Sequence, residues 1–168
     1  MGYTHLTDIS EFISPFAFAK TAGTWTPTIA SNLVSDVRTA AGAAFTVLIP
    51  VIQPGSSIGK QGAKLISVDV FYKIATNAAT AFAVALNKVS LGAHGVATAG
   101  AAVTVTLDAD HDTEAERYAV ADHKLTATLA APAFIDKNSA YWLSFVITAA
   151  AGTVYTNFGA QVNYTLRL

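Results

Sequence analysis

Residues 64–75 read K-L-I-S-V-D-V-F-Y-K-I-A, and this stretch decides the fold class. Apolar side chains recur at every second position and share one face: Ile66, Val68, Val70, Tyr72 and Ile74. The opposite face carries Leu65, Ser67, Asp69, Phe71 and Lys73. Because successive side chains of a strand point to opposite faces of a sheet, this period of two predicts a β-strand.

Similar alternation, or a short apolar run between turn-forming residues, recurs along the whole chain. It predicts strands over 24–29, 44–52, 64–75, 80–91, 102–107, 123–129, 139–148 and 153–168. Loops are predicted over 53–62 and 130–139, and Pro27 predicts an edge strand. Gly159, inside the last segment, predicts a bulge or a bend.

One segment allows a second interpretation, because alanine favours helices and residues 80–86 are rich in alanine. The larger apolar residues Phe82, Val84 and Leu86 are spaced by two, whereas a helix needs spacings of three and four. We therefore predict a strand with the small alanines on the opposite face.

About eight strands without intervening helices predict an all-β fold. We expect a single antiparallel β-sandwich over residues 24–168, jelly-roll-like in its strand order. A chain of 168 residues suffices for one core, and no Gly/Ser-rich or Pro-rich linker divides it.

Residues 1–23 are predicted to form an N-terminal arm. Asp8 and Glu11 are placed to cap a short helix that Pro15 ends. The apolar residues from Phe12 to Phe18 are too hydrophobic for a free tail, so the arm must dock on its own domain or on a neighbour.

Charged residues make up only 12% of the chain, about half the usual share. A surface so poor in charge favours burial against other subunits. The net charge is −1 and the basic residues are scattered, which argues against nucleic-acid binding. The absence of cysteine excludes disulfides and thiolate metal sites.

The N-terminal residues lack the basic and apolar regions of a secretory signal. The longest apolar run, 40–52, is too short to span a bilayer. We expect a chain made in the host cytoplasm and not inserted in a membrane.

Asp108, Asp110 and Asp112 alternate as in a calcium loop. An EF-hand needs glycine and glutamate where this chain has Thr113 and Ala119, so the EF-hand match fails. A calcium site of another, looser kind is an alternative. We favour a solvated loop in which an aspartate caps a short turn over 114–117 and Asp108 or Asp110 pairs with Arg117.

The four histidines are His5, His94, His111 and His123. A zinc site needs three or four converging ligands. His111 and His123 flank the acidic loop and would meet if that loop folds back as a hairpin. Surface or turn histidines are the simpler interpretation, and we expect neither a metal nor a cofactor.

No nucleophile elbow, phosphate loop or dinucleotide fingerprint is present, so we expect no catalytic residues and no enzyme. A carboxylate pair for glycoside hydrolysis would have to come from Asp69, Asp136 and the acidic loop. Asp69 is interpreted as an outward strand residue that pairs with a lysine or threonine across the sheet. A hydrolase with a dispersed site is the remaining alternative.

Five aromatic residues raise the alternative of a sugar-binding platform: Trp25, Trp142, Tyr141, Tyr155 and Tyr164. Tyr141 and Trp142 are adjacent in a predicted strand, so one ring points into the core and the other outward. The outward ring is then a surface residue or an anchor in a subunit contact.

Several stretches resemble small structural proteins of tailed phages and their prophages. They are T-W-T-P-T (24–28), L-I-P-V-I-Q-P-G (48–55), G-A-K-L-I-S-V-D-V-F-Y-K-I (62–74), V-T-V-T-L-D-A-D-H-D-T-E-A-E-R (103–117) and the ending from Tyr141 to Leu168. Cysteine-free sandwiches rich in Ala, Thr and Val, with an N-terminal arm, are typical of virion decoration, fibre and minor capsid proteins. The resemblance implies symmetric homo-oligomers, commonly trimers, bound to capsid or tail proteins.

The sequence therefore predicts a non-enzymatic virion structural protein, an oligomeric capsid decoration protein or tail or fibre component. The alternative is a carbohydrate-binding or receptor-binding β-sandwich module.

Overall fold

The computed structural model of the chain is an antiparallel β-sandwich and confirms the predicted fold class. It describes residues 6–31, 33–52, 63–90, 92, 100–135 and 138–167. The predicted loop 53–62, His5, His94 and Asp136 therefore lie wholly outside the described residues.

The described part of the chain contains twelve strands, four more than the sequence predicted. They are β1 (Leu6–Ile13), β2 (Ala19–Lys20), β3 (Trp25–Ala30), β4 (Leu33–Arg38), β5 (Ala44–Val51), β6 (Ala63–Ala75), β7 (Ala81–Ser90), β8 (Ala101–Val103), β9 (Val105–Leu107), β10 (Ala121–Phe134), β11 (Ser139–Thr148) and β12 (Val154–Arg167). The additional strands are β1, β2 and β4, where no strand was predicted, and the division of the predicted strand 102–107 into β8 and β9.

The strands form two sheets. Sheet 1 has the order β3-β4-β12-β6-β10-β9, with β1 also paired to β12. Sheet 2 has the order β2-β5-β11-β7-β8. From β4 to β7, and again from β10 to β12, each successive long strand crosses to the other sheet, which is the strand order of a jelly roll.

The core lies between the sheets and is rich in aromatic rings. Tyr72 of β6 stacks on Tyr155 of β12, with ring centroids 5.6 Å apart. Phe145 of β11 meets the Tyr72 ring edge-on at 5.7 Å and Phe82 of β7 at 4.9 Å. Edge-to-face and stacked contacts of this kind fix the spacing of the two sheets.

The segment predicted over 80–91 forms a strand and not a helix over its described residues Ala81–Ser90. Phe82 and Leu86 are buried between the sheets, whereas Ala83 and Ala85 are exposed on the other face. The spacing of the larger residues therefore outweighs the helix preference of alanine here.

The strand over residues 64–75 is also confirmed, but its face assignment fails at Leu65 and Ile66. Against β12, Ser67 pairs with Asn163 and Leu65 with Tyr164, which makes Ile66 the extra residue of a bulge. Against β10 the same two residues pair with Thr128 and Ala133, so there the extra residues lie on β10. As a result Leu65 is fully buried and Ile66 is half-buried, the reverse of the prediction. Beyond the bulge, the inward residues from Val68 to Ile74 are buried as expected.

The bend predicted at Gly159 is confirmed. Its φ of +130° lies in the region that favours glycine, and the register between β12 and β6 shifts beside it. A Cβ at this position would collide with the ring of Phe12 and lie 2.8 Å from the carbonyl oxygen of Ile13. The bend lets two strands share one edge of β12: β4 pairs with residues 155–157 and β1 with residues 160–167.

The short helix predicted within the N-terminal arm is wrong, because residues 6–13 form a β-strand on β12 of the same chain. Ser14 caps a single 3-10 turn, Pro15–Ala17, and β2 then pairs with β5 of the other sheet. Ile13 and Phe18 are buried on either side of this turn. The division of the chain into an arm over 1–23 and a domain over 24–168 stays a prediction.

Strand β10 extends beyond the predicted residues 123–129 and includes Pro132, where a loop was expected. Its register with β6 shifts between Thr128 and Ala133, which allows a proline within the strand. The edge position predicted from Pro27 is confirmed, since β3 is the outermost strand of sheet 1.

Candidate functional site

The acidic segment turns its first aspartate inward and leaves the next two in solvent. Asp108 accepts a hydrogen bond from the backbone N–H of Thr126 at 2.5 Å and contacts Nδ1 of His111 at 2.6 Å. Asp110 and Asp112 are exposed. Within the described ranges no three histidine, aspartate or glutamate side chains converge on a metal site.

The helix of this segment, α1 (Glu114–Tyr118), begins at Thr113 and not at an aspartate. Thr113 Oγ1 accepts from the N–H of Glu116, and the Glu116 carboxylate accepts from the N–H of Thr113, which makes a capping box. The expected aspartate cap is therefore wrong, because Asp108 is held by His111 and Thr126.

Arg117 does not pair with Asp108 or Asp110, which corrects the second expectation for this loop. Its guanidinium donates to three backbone carbonyls, those of Phe82, His111 and Asp112, at 2.9–3.0 Å. The Glu114 carboxylate accepts from the backbone N–H of Phe82 at 2.7 Å. These bonds attach the β9–β10 connection to β7 in the other sheet.

His111 and His123 do meet, as a folded-back acidic loop would require. Their Nε2 and Nδ1 atoms lie 3.1 Å apart, and His123 Nε2 lies 2.9 Å from the carbonyl oxygen of Ala119. His111 is buried, and the half-buried ring of His123 stacks on Tyr72 at 4.6 Å. Burial lowers the pKa of His123. Burial also raises the pKa of Tyr72 well above its usual value.

The aromatic residues considered as a sugar platform are mostly inside the sandwich. Tyr141, Tyr155 and Tyr164 are buried, and Trp25 packs edge-on against Phe45. Trp142 is half-buried and points out of sheet 2, while its neighbour Tyr141 points in. The five rings therefore do not share a surface.

Asp69 lies on the outer face of sheet 1 and pairs as the sequence predicted. Its carboxylate accepts from Thr126 Oγ1 at 2.8 Å and lies 3.5 Å from Lys124 Nζ, both on the neighbouring strand β10. Asn163 donates to Ser67 at 3.0 Å and to Asp69 at 3.4 Å from the other side. These bonds account for a carboxylate that is only 8% exposed.

The outer face of sheet 1 is charged. Lys73 and Asp122 form an exposed ion pair at 3.1 Å, close to Lys124 and Asp69. Asp8 of β1 pairs in register with Thr165 on the same face. Charges of both signs on one face are typical of a surface that stays in water.

The outer face of sheet 2 is different, because its described strand residues include no charged side chain. The register places these outward residues together: Ala19, Ala44, Thr46, Leu48, Pro50, Ala81, Ala83, Ala85, Asn87, Val89, Ala102, Ala140, Trp142, Ser144, Val146 and Thr148. Val146, at 46% exposure, lies opposite Ala83, and Trp142 lies between Pro50 and Asn87. We call this surface the uncharged face.

The uncharged face was not among the features predicted from the sequence. The signal was present in β7, where alanine occupies alternate positions opposite Phe82, Val84 and Leu86. A strand that is apolar on both sides is typical of a sheet covered on both faces. What the sequence does not contain is which strands lie beside β7 and extend that surface.

Among the described residues no helix has the length and apolar character needed to cross a membrane.

No protein-family model and no curated protein sequence matches the chain. It is similar in fold to the structure of infectious bursal disease virus Gx strain, with 10% identity, a TM-score of 0.46 and coverage of 97% of this chain and 32% of that chain. It is also similar to the enzymatically active domain of bacteriophage CBA120 tailspike protein 4, with 14% identity, a TM-score of 0.38 and coverage of 93% and 19%.

A third similar structure is the xylan-binding module CBM15, with 13% identity, a TM-score of 0.41 and coverage of 95% of this chain and 97% of that one. This chain spans a third or less of the first two structures. The likeness to all three concerns the β-sandwich fold.

Proposed function

We propose that the chain is a non-enzymatic structural protein of a virus particle and that it assembles with further copies of itself through the uncharged face. The observation that carries the assembly is the absence of charged side chains among the described strand residues of that face, in a sandwich whose other outer face is charged. An uncharged surface meets its own copy without like-charge repulsion, which permits contact between sister copies.

The size of the uncharged face supports this proposal. The five strands of sheet 2, three of them eight to ten residues long, cover about 500 Å² at about 4.8 Å between strands and about 3.3 Å per residue. Two such faces bury about 1,000 Å² together, the lower limit for a specific protein interface. Trp142 supplies an aromatic side chain of the kind that commonly dominates the centre of an interface, and the exposed Val146 adds apolar area.

The solution mass of the purified chain tests the assembly. We expect light scattering after size exclusion to give a whole multiple of 17.4 kDa. The phage resemblance implies a trimer. Ala83→Lys and Val146→Lys place a charge in the uncharged face and should give monomers. Thr128→Lys, an exposed position on the outer face of sheet 1, is the matched control and should keep the parent mass.

Two outcomes contradict self-assembly: a monomer at concentrations of 100 µM, or a folded Ala83→Lys variant with the parent mass. The place in a virus particle has its own test, which is mass spectrometry of purified particles from the source of the chain. Recovery of its peptides in stoichiometric amount supports a virion component, and their absence contradicts it.

Carbohydrate binding is the second candidate, and Trp142 is the observation that favours it. Its ring is partly open to solvent, and the nearby Asn87 Nδ2 lies 3.4 Å from Ser144 Oγ, so polar groups lie beside an aromatic surface. Binding to a glycan array that Trp142→Ala abolishes, in a chain that stays monomeric, would favour this function over assembly.

A further inference from the structure

Three groups in the β9–β10 connection and His123 at the start of β10 form one continuous row of contacts. Asp108 Oδ1 lies 2.6 Å from His111 Nδ1, and His111 Nε2 lies 3.1 Å from His123 Nδ1. His123 Nε2 lies 2.9 Å from the carbonyl oxygen of Ala119, which closes the row. Each of the three contacts has the length of a hydrogen bond, so each needs one hydrogen.

The number of hydrogens in this row exceeds what two neutral histidines carry. The Ala119 carbonyl only accepts, so His123 Nε2 must hold a hydrogen, and the Asp108 carboxylate requires one on His111 Nδ1. A neutral imidazole has one N–H, so these two bonds use both hydrogens. The nitrogens that face each other at 3.1 Å would then present two lone pairs, unless a third hydrogen lies between them.

We propose that His111 and His123 together hold one extra proton, and that this proton fastens the β9–β10 connection across the end of the sandwich. The proton completes the row from Asp108 to Ala119 and gives the pair a single positive charge. That charge forms an ion pair with the Asp108 carboxylate.

The surroundings assign the charge to His111 and leave His123 neutral. His123 is half-buried on the Tyr72 ring, and this burial lowers its pKa, although its hydrogen bond to Ala119 acts in the opposite direction. His111 lies directly against the Asp108 carboxylate. The other titratable or charged groups of the elements packed around the pair are Glu114, Glu116, Arg117 and Tyr118 on α1, Asp110 and Asp112 in the loop, Tyr72 and Lys73 on β6, and Asp122 and Lys124 on β10.

The row lies next to the bonds that join the connection to sheet 2. Arg117 donates to the carbonyl of His111 as well as to that of Phe82 on β7. The Tyr72 hydroxyl donates to the carbonyl of Arg117 at 2.8 Å. His111 therefore belongs both to the row, through its ring, and to the attachment of α1 to β7, through its backbone carbonyl.

The expected pH dependence has two sides. Above neutral pH the shared proton leaves, and two lone pairs face each other at 3.1 Å. Below neutral pH a second proton enters His123, and two N–H groups face each other. Because the folded chain lowers the pKa of His123, the neutral ring contributes stability above the unfolded value of 6.5, and that stability is lost as pH falls through the folded value.

Nitrogen-15 NMR of the full chain labelled at histidine tests the proposal directly, because long-range couplings distinguish protonated from bare ring nitrogens. At neutral pH we expect one ring with both nitrogens protonated, His111, and one ring with only Nε2 protonated, His123. Two neutral rings at pH 6.5, or two rings that gain their second proton together, would overturn it.

Asp108→Asn removes the negative charge and keeps the side-chain shape. We expect the ring with both nitrogens protonated to be lost at neutral pH, because the anion that this ring faces is gone. Asp122→Asn removes an exposed carboxylate beside His123 and should leave that ring as in the parent. Equal effects of the two variants would contradict the assigned ion pair.

Hydrogen exchange and added zinc complete the test. After correction for the intrinsic pH dependence, amides of residues 108–120 should exchange slowest near neutral pH and at least tenfold faster at pH 5 and at pH 8.5. Zinc chloride at pH 7 should leave both ring spectra unchanged. If zinc at pH 7 instead displaces the ring proton and slows the exchange further, the two facing nitrogens hold a metal ion and the shared proton is wrong.

Discussion

Lys20 and Asp36 form an ion pair that joins the two sheets of the sandwich, since Lys20 belongs to β2 of sheet 2 and Asp36 to β4 of sheet 1. The Asp36 side chain is 2% exposed and that of Lys20 is 15% exposed. The second carboxylate oxygen of Asp36 has no hydrogen-bond partner among the described residues. The buried charge of Asp36 therefore depends on Lys20.

Replacement of Lys20 by methionine is expected to lower the free energy of unfolding by about 3–5 kcal/mol, because it leaves a buried carboxylate unpaired. Urea unfolding at pH 7 measures the loss. Lys124→Met is the control, since Lys124 pairs with Asp69 but is 58% exposed, and it should cost at most about 1 kcal/mol. The double variant Lys20→Met, Asp36→Leu should recover most of the loss, and a double variant no more stable than Lys20→Met contradicts this account.

Gly159→Ala is expected to be destabilising by about 1–3 kcal/mol or more, because alanine is strained at a φ of +130°. The added methyl group also meets the Phe12 ring and the Ile13 carbonyl of β1. Amide exchange should therefore increase most in residues 6–13. Gly100→Ala is the matched control: its Cβ would have only ordinary contacts at 3.4 Å or more, and its effect should stay within about 0.5 kcal/mol. Equal losses in the two variants would contradict the role of the bend.

The sequence predicts best those strands that bury one face in the core, because that burial requires apolar side chains at every second position. Residues 139–148 and 80–91 are predicted almost to their ends, since each has neighbours on both sides. The bulge at Ile66 is not predictable from its own residues, because it exists only in the register between β6 and β12. Residues 6–13 carry local helix signals, and pairing with β12 overrides them.

Prediction of the candidate sites is limited in the same way, because their contacts depend on residues distant in the chain. From the sequence, His111 and His123 were expected to meet only if the acidic loop folds back, and surface or turn histidines were the favoured interpretation. That interpretation is wrong for His111, which is buried and lies 3.1 Å from His123. The contacts of Arg117 were not predictable, since its acceptors are backbone carbonyls, one of them on a strand distant in sequence. A side chain that binds backbone groups leaves no partner residue in the sequence to identify it.

Arg117→Lys is expected to release the β9–β10 connection from β7. A lysine ammonium lacks the planar fork that reaches the carbonyls of Phe82, His111 and Asp112 together, so we expect a loss of about 1.5–3 kcal/mol. Hydrogen exchange of residues 108–120 and urea unfolding measure it. Lys73→Ala removes an exposed ion pair with Asp122 and should cost at most about 1 kcal/mol. Unchanged exchange in Arg117→Lys would show that the arginine does not hold this segment.

The contribution of Asp108 to stability is expected to disappear in acid. Burial alone would raise the pKa of Asp108, but hydrogen bonds from the Thr126 N–H and His111 together outweigh it and hold the pKa below the usual 3.8. The folded chain therefore binds this proton less readily than the unfolded chain. The resulting stability is present above pH 3.8 and is lost as pH falls through the folded value.

Asp108→Asn tests this dependence in urea unfolding from pH 7 to pH 2. The variant should be less stable than the parent at pH 6–7, and the two should converge as the parent carboxylate is protonated. Asp122→Asn, at an exposed carboxylate, should follow the parent closely over the whole range. A constant difference between Asp108→Asn and the parent at every pH would mean that the lost contacts act through shape and not through charge. In that case the Asp108 carboxylate does not stabilise the connection as an anion.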